Sequence, residues 1–430
     1  MLSGNDIEYL FADPAREFTT GAEQRGDILS LAGTILAGPQ PPLCLATEDK
    51  ALVAAAILAR LCGGPEIFLP PGLSASVLAR MQQDQPGVRL LRHRPDPDDK
   101  PPSLRPEPAS LDRELARIFT GGSTGRPQIW PKTGHNLLDE ALFLARAFEI
   151  GTDDRILATV PPHHIYGLLF SVLVPLVSGA AVIPAQPSFP AEIRETARRH
   201  GATILVSVPP HYQALRDTPL DCASLRMAFS SAGPLAEAEN RNFRTCNQVP
   251  VIEVFGSTET GGIGCRNRFA GEAGFTAFQP VVWRESDGLL AVRSPFLSPG
   301  LPLDDEGWFQ TADRIRPLDD RVFIPRGRAD AVAKVGGRRV NMEEIRDTIR
   351  GLAGIHDCVV VALPERGGRG SRIAALVAGE AEPETVRELA ARQLEPHARP
   401  RIIRVVKTIP VRANGKHDRP AILELLHGRA

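Results

Sequence analysis

Phe119-Thr120-Gly121-Gly122-Ser123-Thr124-Gly125-Arg126-Pro127 is the stretch on which the reading of this chain turns. Three glycines and three hydroxyl side chains fall within these nine positions. The segment follows a short apolar run, Leu115, Ala116, Ile118 and Phe119, which reads as a buried strand. Glycine lets the backbone turn its N–H groups inward where a Cβ would clash. Successive inward N–H groups form a concave nest that attracts anions. Thr120, Ser123 and Thr124 add hydroxyl donors, so the segment reads as a loop that cradles phosphate. It is not the familiar P-loop, because no Gly-Lys-Ser/Thr follows the glycines. By itself the same composition also suits a solvated turn.

Outward from this loop the chain alternates. Residues 43–47, 51–62 and 66–69 read as strand, helix, strand. Beyond residue 114, Ile156–Val160, Ala180–Ile183, Thr203–Val206, Arg226–Phe229 and Val251–Phe255 read as short buried strands, with helices at 190–200 and 235–245 among them. Such alternation implies an α/β architecture of layered, mostly parallel sheets with helices. The stretch 93–110, rich in proline and charge, reads as an exposed connection. From about residue 328 the order changes to strands at 322–324 and 331–335, a helix at 343–352, strands at 357–363 and 372–378, a helix at 384–394, a strand at 401–406 and a final helix from 418. This is a small α+β domain. The expected division is 1–327 and 328–430, and a chain of 430 residues is long enough for both.

Composition narrows the function classes. Charges nearly balance at a formal net of −1, so bulk charge gives no argument for nucleic acid. Six scattered cysteines (44, 62, 222, 246, 265, 358) form no C-x-x-C pair, which argues against a zinc site or a disulfide framework and fits reduced, mostly buried thiols in a cytoplasmic protein. The longest apolar run, Leu168 to Ile183, is broken by Pro175, Ser178 and Gly179 and reads as a core helix followed by a strand, not a membrane span.

Further motifs follow the loop in order. They are Pro162-His163-His164-Ile165-Tyr166-Gly167, Ser230-Ser231-Ala232-Gly233-Pro234-Leu235, Phe255-Gly256-Ser257-Thr258-Glu259, Thr311-Ala312-Asp313, Gly327-Arg328-Ala329-Asp330 with Lys334, Gly336-Gly337 and Glu343-Glu344-Ile345, and Pro410 through Arg419. Together with the loop they resemble the motif series of the adenylate-forming superfamily, the AMP-binding acyl- and aryl-CoA synthetases, peptide-synthetase adenylation domains and luciferases. The resemblance spans about residues 118 to 419. It departs from the family at Gln128, where a lysine is usual, at Ala312, where glycine is usual, and in a short segment ahead of the loop, which implies a reduced front subdomain.

The resemblance implies a large N-terminal domain with a small mobile C-terminal lid, ATP and Mg2+ as cofactors, and activation of a carboxylic acid as its acyl-adenylate. Thr120, Gly121, Gly122, Ser123, Thr124 and Gly125 would cradle the phosphates. Glu259, with Thr124, would hold the metal, and Thr258 would sit beside the α-phosphate. Phe255, Gly256, Ser257 and the Ser231, Ala232, Gly233, Pro234 loop would flank the nucleoside. Asp313 would take the ribose hydroxyls, and Arg328 ribose or phosphate. Lys416 would be the catalytic cation near the attacking carboxylate. His164 would gate the acyl pocket, with Tyr166, Ser207 and His211 lining it. These polar groups suit a hydroxylated aromatic acid better than a plain fatty chain. Asp330 would be the hinge, and Lys334, Gly336 and Gly337 would face the path of a phosphopantetheine thiol, on CoA or an acyl carrier protein.

Two single-residue readings carry no help from the resemblance. Glu259 after Ser-Thr reads, from capping preference, as a helix-start residue. Lys132, four residues beyond Gln128, reads as a surface lysine within reach of the phosphates at most. Two other functions stay open at this point: a stand-alone adenylation enzyme that makes no thioester, and a degenerate homologue that binds nucleotide without catalysis.

Overall fold

A computed structural model describes residues 6–96, 102–120, 128–329, 332–335, 338–364, 371–412 and 417–428. By compactness the chain forms two units, Met1–Val282 with Arg293–Phe309, and Trp283–Val292 with Gln310–Ala430.

The first unit carries two sheets. In the larger, the strands Val251–Ser257, Met227–Ser230, Ile204–Ser207, Arg155–Ala158 and Ala181–Val182 lie side by side and parallel. Beyond Val251–Ser257 the direction reverses, and Gly261–Asn267 and Phe275–Ala277 continue antiparallel. The smaller sheet runs in the order Arg89–Leu91, Leu43–Leu45, Ile67–Leu69, Glu114–Thr120, Gln128–Thr133, parallel except for its last pair. Strands buried on both faces read as continuous apolar runs, and Leu43, Cys44, Leu45, Ile204, Leu205 and Val206 are all fully buried. The helices Pro190–His200 and Glu237–Asn247 pack Ile193, Ala197 and Phe243 onto Leu157, Leu205, Ala228 and Val251. The apolar run at 168–183 is helical to Ser178, turns at Gly179 in the left-handed region, and enters the strand Ala181–Val182, as its breakers indicate.

In the second unit Val282–Ser286, Leu289–Arg293, Phe309–Pro317 and Val322–Arg328 follow one another in a sheet. A separate layer centres on Ser371–Gly379, antiparallel to Ile355–Pro364 and parallel to Ile402–Val406. The strand period of two decides its packing. Ile373, Ala375 and Val377 meet the helices Met342–Arg350 and Pro383–Gln393, while Ala374, Leu376 and Ala378 meet Arg419–His427.

The helices and strands expected for this region are present, but the sequence reading lacks the strand Arg338–Asn341 and the antiparallel strands at 261–267, 275–277, 282–293 and 309–317. Their burial alternates irregularly and several are rich in polar residues. No helix among the described residues is long and apolar enough to cross a membrane.

Leu205 lies at the centre of the parallel sheet with no exposed surface. Leu205→Ala is expected to remove about 3 kcal/mol of stability through lost burial and the cavity left behind. Urea unfolding checks this.

Candidate active site

The parallel strands end on one edge, where open α/β sheets bind ligands. In register, Ser207 lies beside Ser230, and Ser230 beside Glu253. Just past the neighbouring strand, Thr159 is fully buried and its Oγ1 lies 2.8 Å from Ser207 Oγ. His211, in the helix Pro209–Ala214, brings Nδ1 to 2.8 Å from Thr159 Oγ1 and 3.4 Å from Ser207 Oγ. Two of the expected pocket residues, Ser207 and His211, are thus brought together, with Thr159 as a partner that the sequence reading missed. Burial holds the His211 imidazole below its ordinary range, favouring the neutral ring.

His164 caps the start of the short helix Ile165–Leu168 in extended backbone geometry. Its ring lies 4.5 Å from that of His163. Gly167 is obligatory here, because a Cβ would drive into the Pro161 carbonyl. Tyr166 is buried and meets Phe170 edge-on at 5.3 Å. The helix passes through π geometry at Leu169–Leu173, a distortion common near functional sites.

The loop after Met227–Ser230 is fixed by Ser231 Oγ, which donates to the Val254 carbonyl at 2.8 Å. Ala232, Gly233 and Pro234 are exposed, and Ala232 has φ of +68°. A left-handed alanine costs on the order of 1 kcal/mol, so the loop is held in a shape that its own residues do not favour.

Glu259 is not a helix-start residue. Val251–Ser257 and Gly261–Asn267 are antiparallel neighbours, and Thr258, Glu259 and Thr260 make the tight turn between them. Capping preference misled because Ser257 and Thr260 use their side chains on each other. The Ser257 N–H donates to Thr260 Oγ1 at 3.1 Å, and the two hydroxyls lie 3.0 Å apart. Thr258 is buried and Glu259 half-buried. Gly256 permits the closure, since a Cβ there would strike the Gly261 carbonyl. Phe255 meets Phe275 at 5.4 Å.

Lys132 corrects the second single-residue reading. It is fully buried, and its Nζ donates to the Phe296 carbonyl at 2.8 Å and the Glu259 carbonyl at 3.3 Å. Glu140, one residue past the π-helical stretch His135–Asp139, is buried too, and accepts from the Gly262 N–H at 2.7 Å. Burial lowers the pKa of Lys132 and raises that of Glu140, and each charge opposes the other's shift. The sequence held one signal for Glu140: it shares the i, i+3, i+4, i+7 face of Leu137, Ala141 and Leu144, all buried.

Thr120 and Gln128 pair across the strands Glu114–Thr120 and Gln128–Thr133, so the glycine-rich segment spans their ends. Thr120 Oγ1 accepts from the Trp130 indole at 3.1 Å. Gly121, Gly122, Ser123, Thr124 and Gly125 lie outside the described residues, as do Asp330, Gly336, Gly337 and Lys416. Lys334 falls on Val332–Val335, paired with Arg339.

In the second unit Asp313 and Arg328 face each other across Phe309–Pro317 and Val322–Arg328, with Oδ1 and Nη1 3.4 Å apart. Thr311 turns its hydroxyl to the Leu290 carbonyl and accepts from the Asp313 N–H at 3.1 Å. Ala312 has no positive φ, so the change from glycine asks nothing special of the backbone. The Arg328 N–H donates to Glu343 Oε2 at 2.5 Å. Gly327, with φ of +86°, leaves room for that carboxylate.

A single half-buried carboxylate in a tight turn suits magnesium that arrives on phosphates, because Mg2+ takes one or two carboxylates plus phosphate oxygens and water. Among the described residues no cluster of three or more His, Cys, Asp or Glu offers an all-protein metal cage.

Residues 71–280 match the family model of AMP-binding enzymes, and residues 344–416 match that of the AMP-binding enzyme C-terminal domain. The chain is 28% identical over 312 residues to a 4-coumarate–CoA ligase of Halorhodospira halophila, covering 69% of this chain and 73% of that protein. It is 27% identical over 460 aligned residues to a p-hydroxybenzoic acid–AMP ligase of Mycobacterium tuberculosis, covering 94% of this chain and 64% of that protein. ATP-bound MatB from Rhodopseudomonas palustris superposes with a TM-score of 0.80 at 20% identity, covering 99% of both chains, which speaks to the fold.

His163 supplies a pH test. Its Nδ1 is buried and has no hydrogen-bond partner among the described residues, and burial pushes its pKa down to about 4 from an ordinary 6.5. The unfolded chain therefore takes up this proton first as pH falls. Stability is intact above pH 6.5 and should drop by on the order of 3 kcal/mol between pH 6.5 and 4. His163→Phe should lose markedly less over the same window, measured by urea unfolding at a series of pH values.

Proposed function

Because the chain belongs to the adenylate-forming superfamily of AMP-binding enzymes, we propose that it is an ATP-dependent acid–thiol ligase. It joins a carboxylic acid to AMP and passes the acyl group to the phosphopantetheine thiol of CoA or of an acyl carrier protein. The observation that supports this reading is the Ser257–Thr260 turn, which carries Glu259 past the C-terminal end of the strand Val251–Ser257, the strand to which Ser231 is bonded through the Val254 carbonyl.

A carboxylate is a poor acyl donor because oxide is its leaving group. In the first step a carboxylate oxygen bonds to the α-phosphorus and the bond to pyrophosphate breaks, giving a mixed anhydride. In the second, a thiol gives up its proton, its sulfur bonds to the acyl carbon, and AMP leaves with the former bond electrons. Both steps rest on positioning and charge stabilisation. Glu259 would hold magnesium, which when bound would offset the charge of the phosphates. Thr258 lies beside it in the turn. The glycine-rich sequence 121–125, with the hydroxyls of Thr120 and Thr124, would receive phosphate oxygens. Ser231, Ala232, Gly233 and Pro234 flank the adenine, Asp313 accepts from the ribose hydroxyls, and Arg328 donates to ribose or phosphate. Lys416 neutralises the approaching carboxylate and α-phosphate. Asp330 acts as the hinge, with Lys334, Gly336 and Gly337 along the thiol path.

For the acid, the Thr159–Ser207–His211 cluster favours an aryl acid bearing a hydroxyl. Both relatives described above are named for hydroxylated aromatic acids. The relative that spans most of this chain is named as an acid–AMP ligase, which supports one competing reading, in which the acyl-adenylate is the product. A pyrophosphate-release screen over aryl and aliphatic acids, with CoA or holo carrier protein added or withheld, tests all three points. No release with any acid refutes the ligase. Release without thioester favours the adenylate as product.

Lys416→Ala should slow adenylation on the order of 10² to 10³-fold while sparing thioester formation from pre-made acyl-adenylate. Equal loss of both half-reactions would refute a role confined to the first. Glu259→Gln should raise the magnesium concentration needed for half-maximal pyrophosphate release; an unchanged requirement would remove Glu259 from the metal.

A further inference from the structure

Beneath the turn that carries Glu259 lies a pair of buried charges that the ligase chemistry does not call for. Lys132 projects from Gln128–Thr133 and binds two carbonyls, one in the turn (Glu259) and one in the loop after the strand Leu289–Arg293 (Phe296). That loop returns the contact, for the Ser298 N–H donates to the same Glu259 carbonyl at 2.8 Å. Asn136 holds the loop one residue earlier, donating from Nδ2 to the Pro295 carbonyl at 2.7 Å.

Glu140 grips the other end of the turn. Besides taking the Gly262 N–H, its carboxylate lies against Gly261 so closely that a Cβ there would come within 2.6 Å of Oε2. Oε2 itself has no hydrogen-bond partner among the described residues. Phe278 and Phe296 pack on the same two glycines, and Phe143, one helical turn beyond Glu140, lies 5.0 Å from Phe278 and 6.3 Å from Phe296. The charges therefore sit in a dry, aromatic-walled space.

Stability alone does not call for such a pair, since apolar residues of equal volume commonly hold a core as well. What an apolar side chain lacks is the ability to bind carbonyl 259 and N–H 262 at once from below. We propose that Lys132 and Glu140 are positioning residues: a buried clamp that fixes the backbone of 259–262, and with it the presentation of Glu259 and Thr258 to magnesium and the nucleotide. The inference rests on the ligase reading for what the turn binds. It assigns to residues outside the motifs the task of holding the metal carboxylate in place.

The test uses the full chain in three forms, Lys132→Met, Glu140→Gln and the double variant. Each single change risks folding by leaving a lone buried charge. The double variant removes both charges, and the amide oxygen introduced by Glu140→Gln can still accept from the Gly262 N–H. Thermal unfolding confirms that each variant folds. Pyrophosphate release is then titrated with Mg2+ at fixed ATP and saturating acid, and KM for the acid is measured in parallel. The expected result in the folded double variant is a rise of about tenfold in half-saturating Mg2+, the scale seen when partners behind a metal ligand are removed, with KM for the acid unchanged. Glu140→Gln should fall between wild type and the double variant.

A folded double variant with wild-type magnesium dependence overturns the clamp while leaving the ligase intact. So does a loss of kcat that is the same at every magnesium concentration. Wild-type protein that releases no pyrophosphate and binds no ATP in the presence of Mg2+ refutes the ligase reading, and the clamp falls with it.

Discussion

The site in the first unit depends on an approach of backbones that no Cβ could enter. A side chain at Gly256 would strike the Gly261 carbonyl, and one at Gly264 the Thr276 carbonyl. These contacts lie where the parallel sheet gives way to its antiparallel continuation. Because the strands close so tightly, only Thr258, Glu259 and Thr260 remain to make the connection. A turn that short has few conformations, and the Ser257–Thr260 hydroxyl exchange leaves fewer. The backbone of Glu259 is thereby held in place, and only its side-chain torsions remain to set the carboxylate.

The rest of the edge is built from a different constraint. Parallel strands need crossovers, so consecutive strands bring residues far apart in sequence to one end of the sheet. Thr159, Ser207 and Ser230 each sit at such an end and are buried. There a hydroxyl must find a partner or leave a polar atom unsatisfied. Thr159 and Ser207 satisfy each other and draw in His211. Among the described residues Ser230 Oγ and His163 Nδ1 find no hydrogen-bond partner, which marks this edge as a place where stability is given up for something else.

These physical differences also decide what could be read in advance. Buried strands such as Leu43–Leu45 and Ile204–Ser207 announce themselves as apolar runs, and so does Ser371–Gly379, whose two faces both meet apolar clusters. The antiparallel strand Val282–Ser286 has no fully buried residue and reads as loop. Gly261–Asn267 is a strand because of its partners, with glycine at three of its first four positions. At the site, residue type combined with family order named Glu259, Ser207, His211, Asp313 and Arg328. It could not name Thr159, whose significance arises only across the sheet, nor Lys132, because a lone lysine between proline and threonine carries no sign of burial.

The placement of Lys132 bears on the electrostatics of the whole first unit. With Gln128 where the family usually has lysine, the segment after the glycine-rich sequence carries no cation at that position, and the nearest lysine in sequence is taken up by carbonyls 259 and 296. A lone cation beneath Glu259 would offset part of the carboxylate charge on which the proposed magnesium site relies. Glu140 prevents this. Its buried carboxylate opposes Lys132 through the same dry medium, where charge interactions are weakly screened. The pair is then neutral at a distance yet still binds the backbone at both ends of the turn. Firm backbone support with an undiminished carboxylate above it is a combination that neither charge alone, nor an apolar pair, would supply.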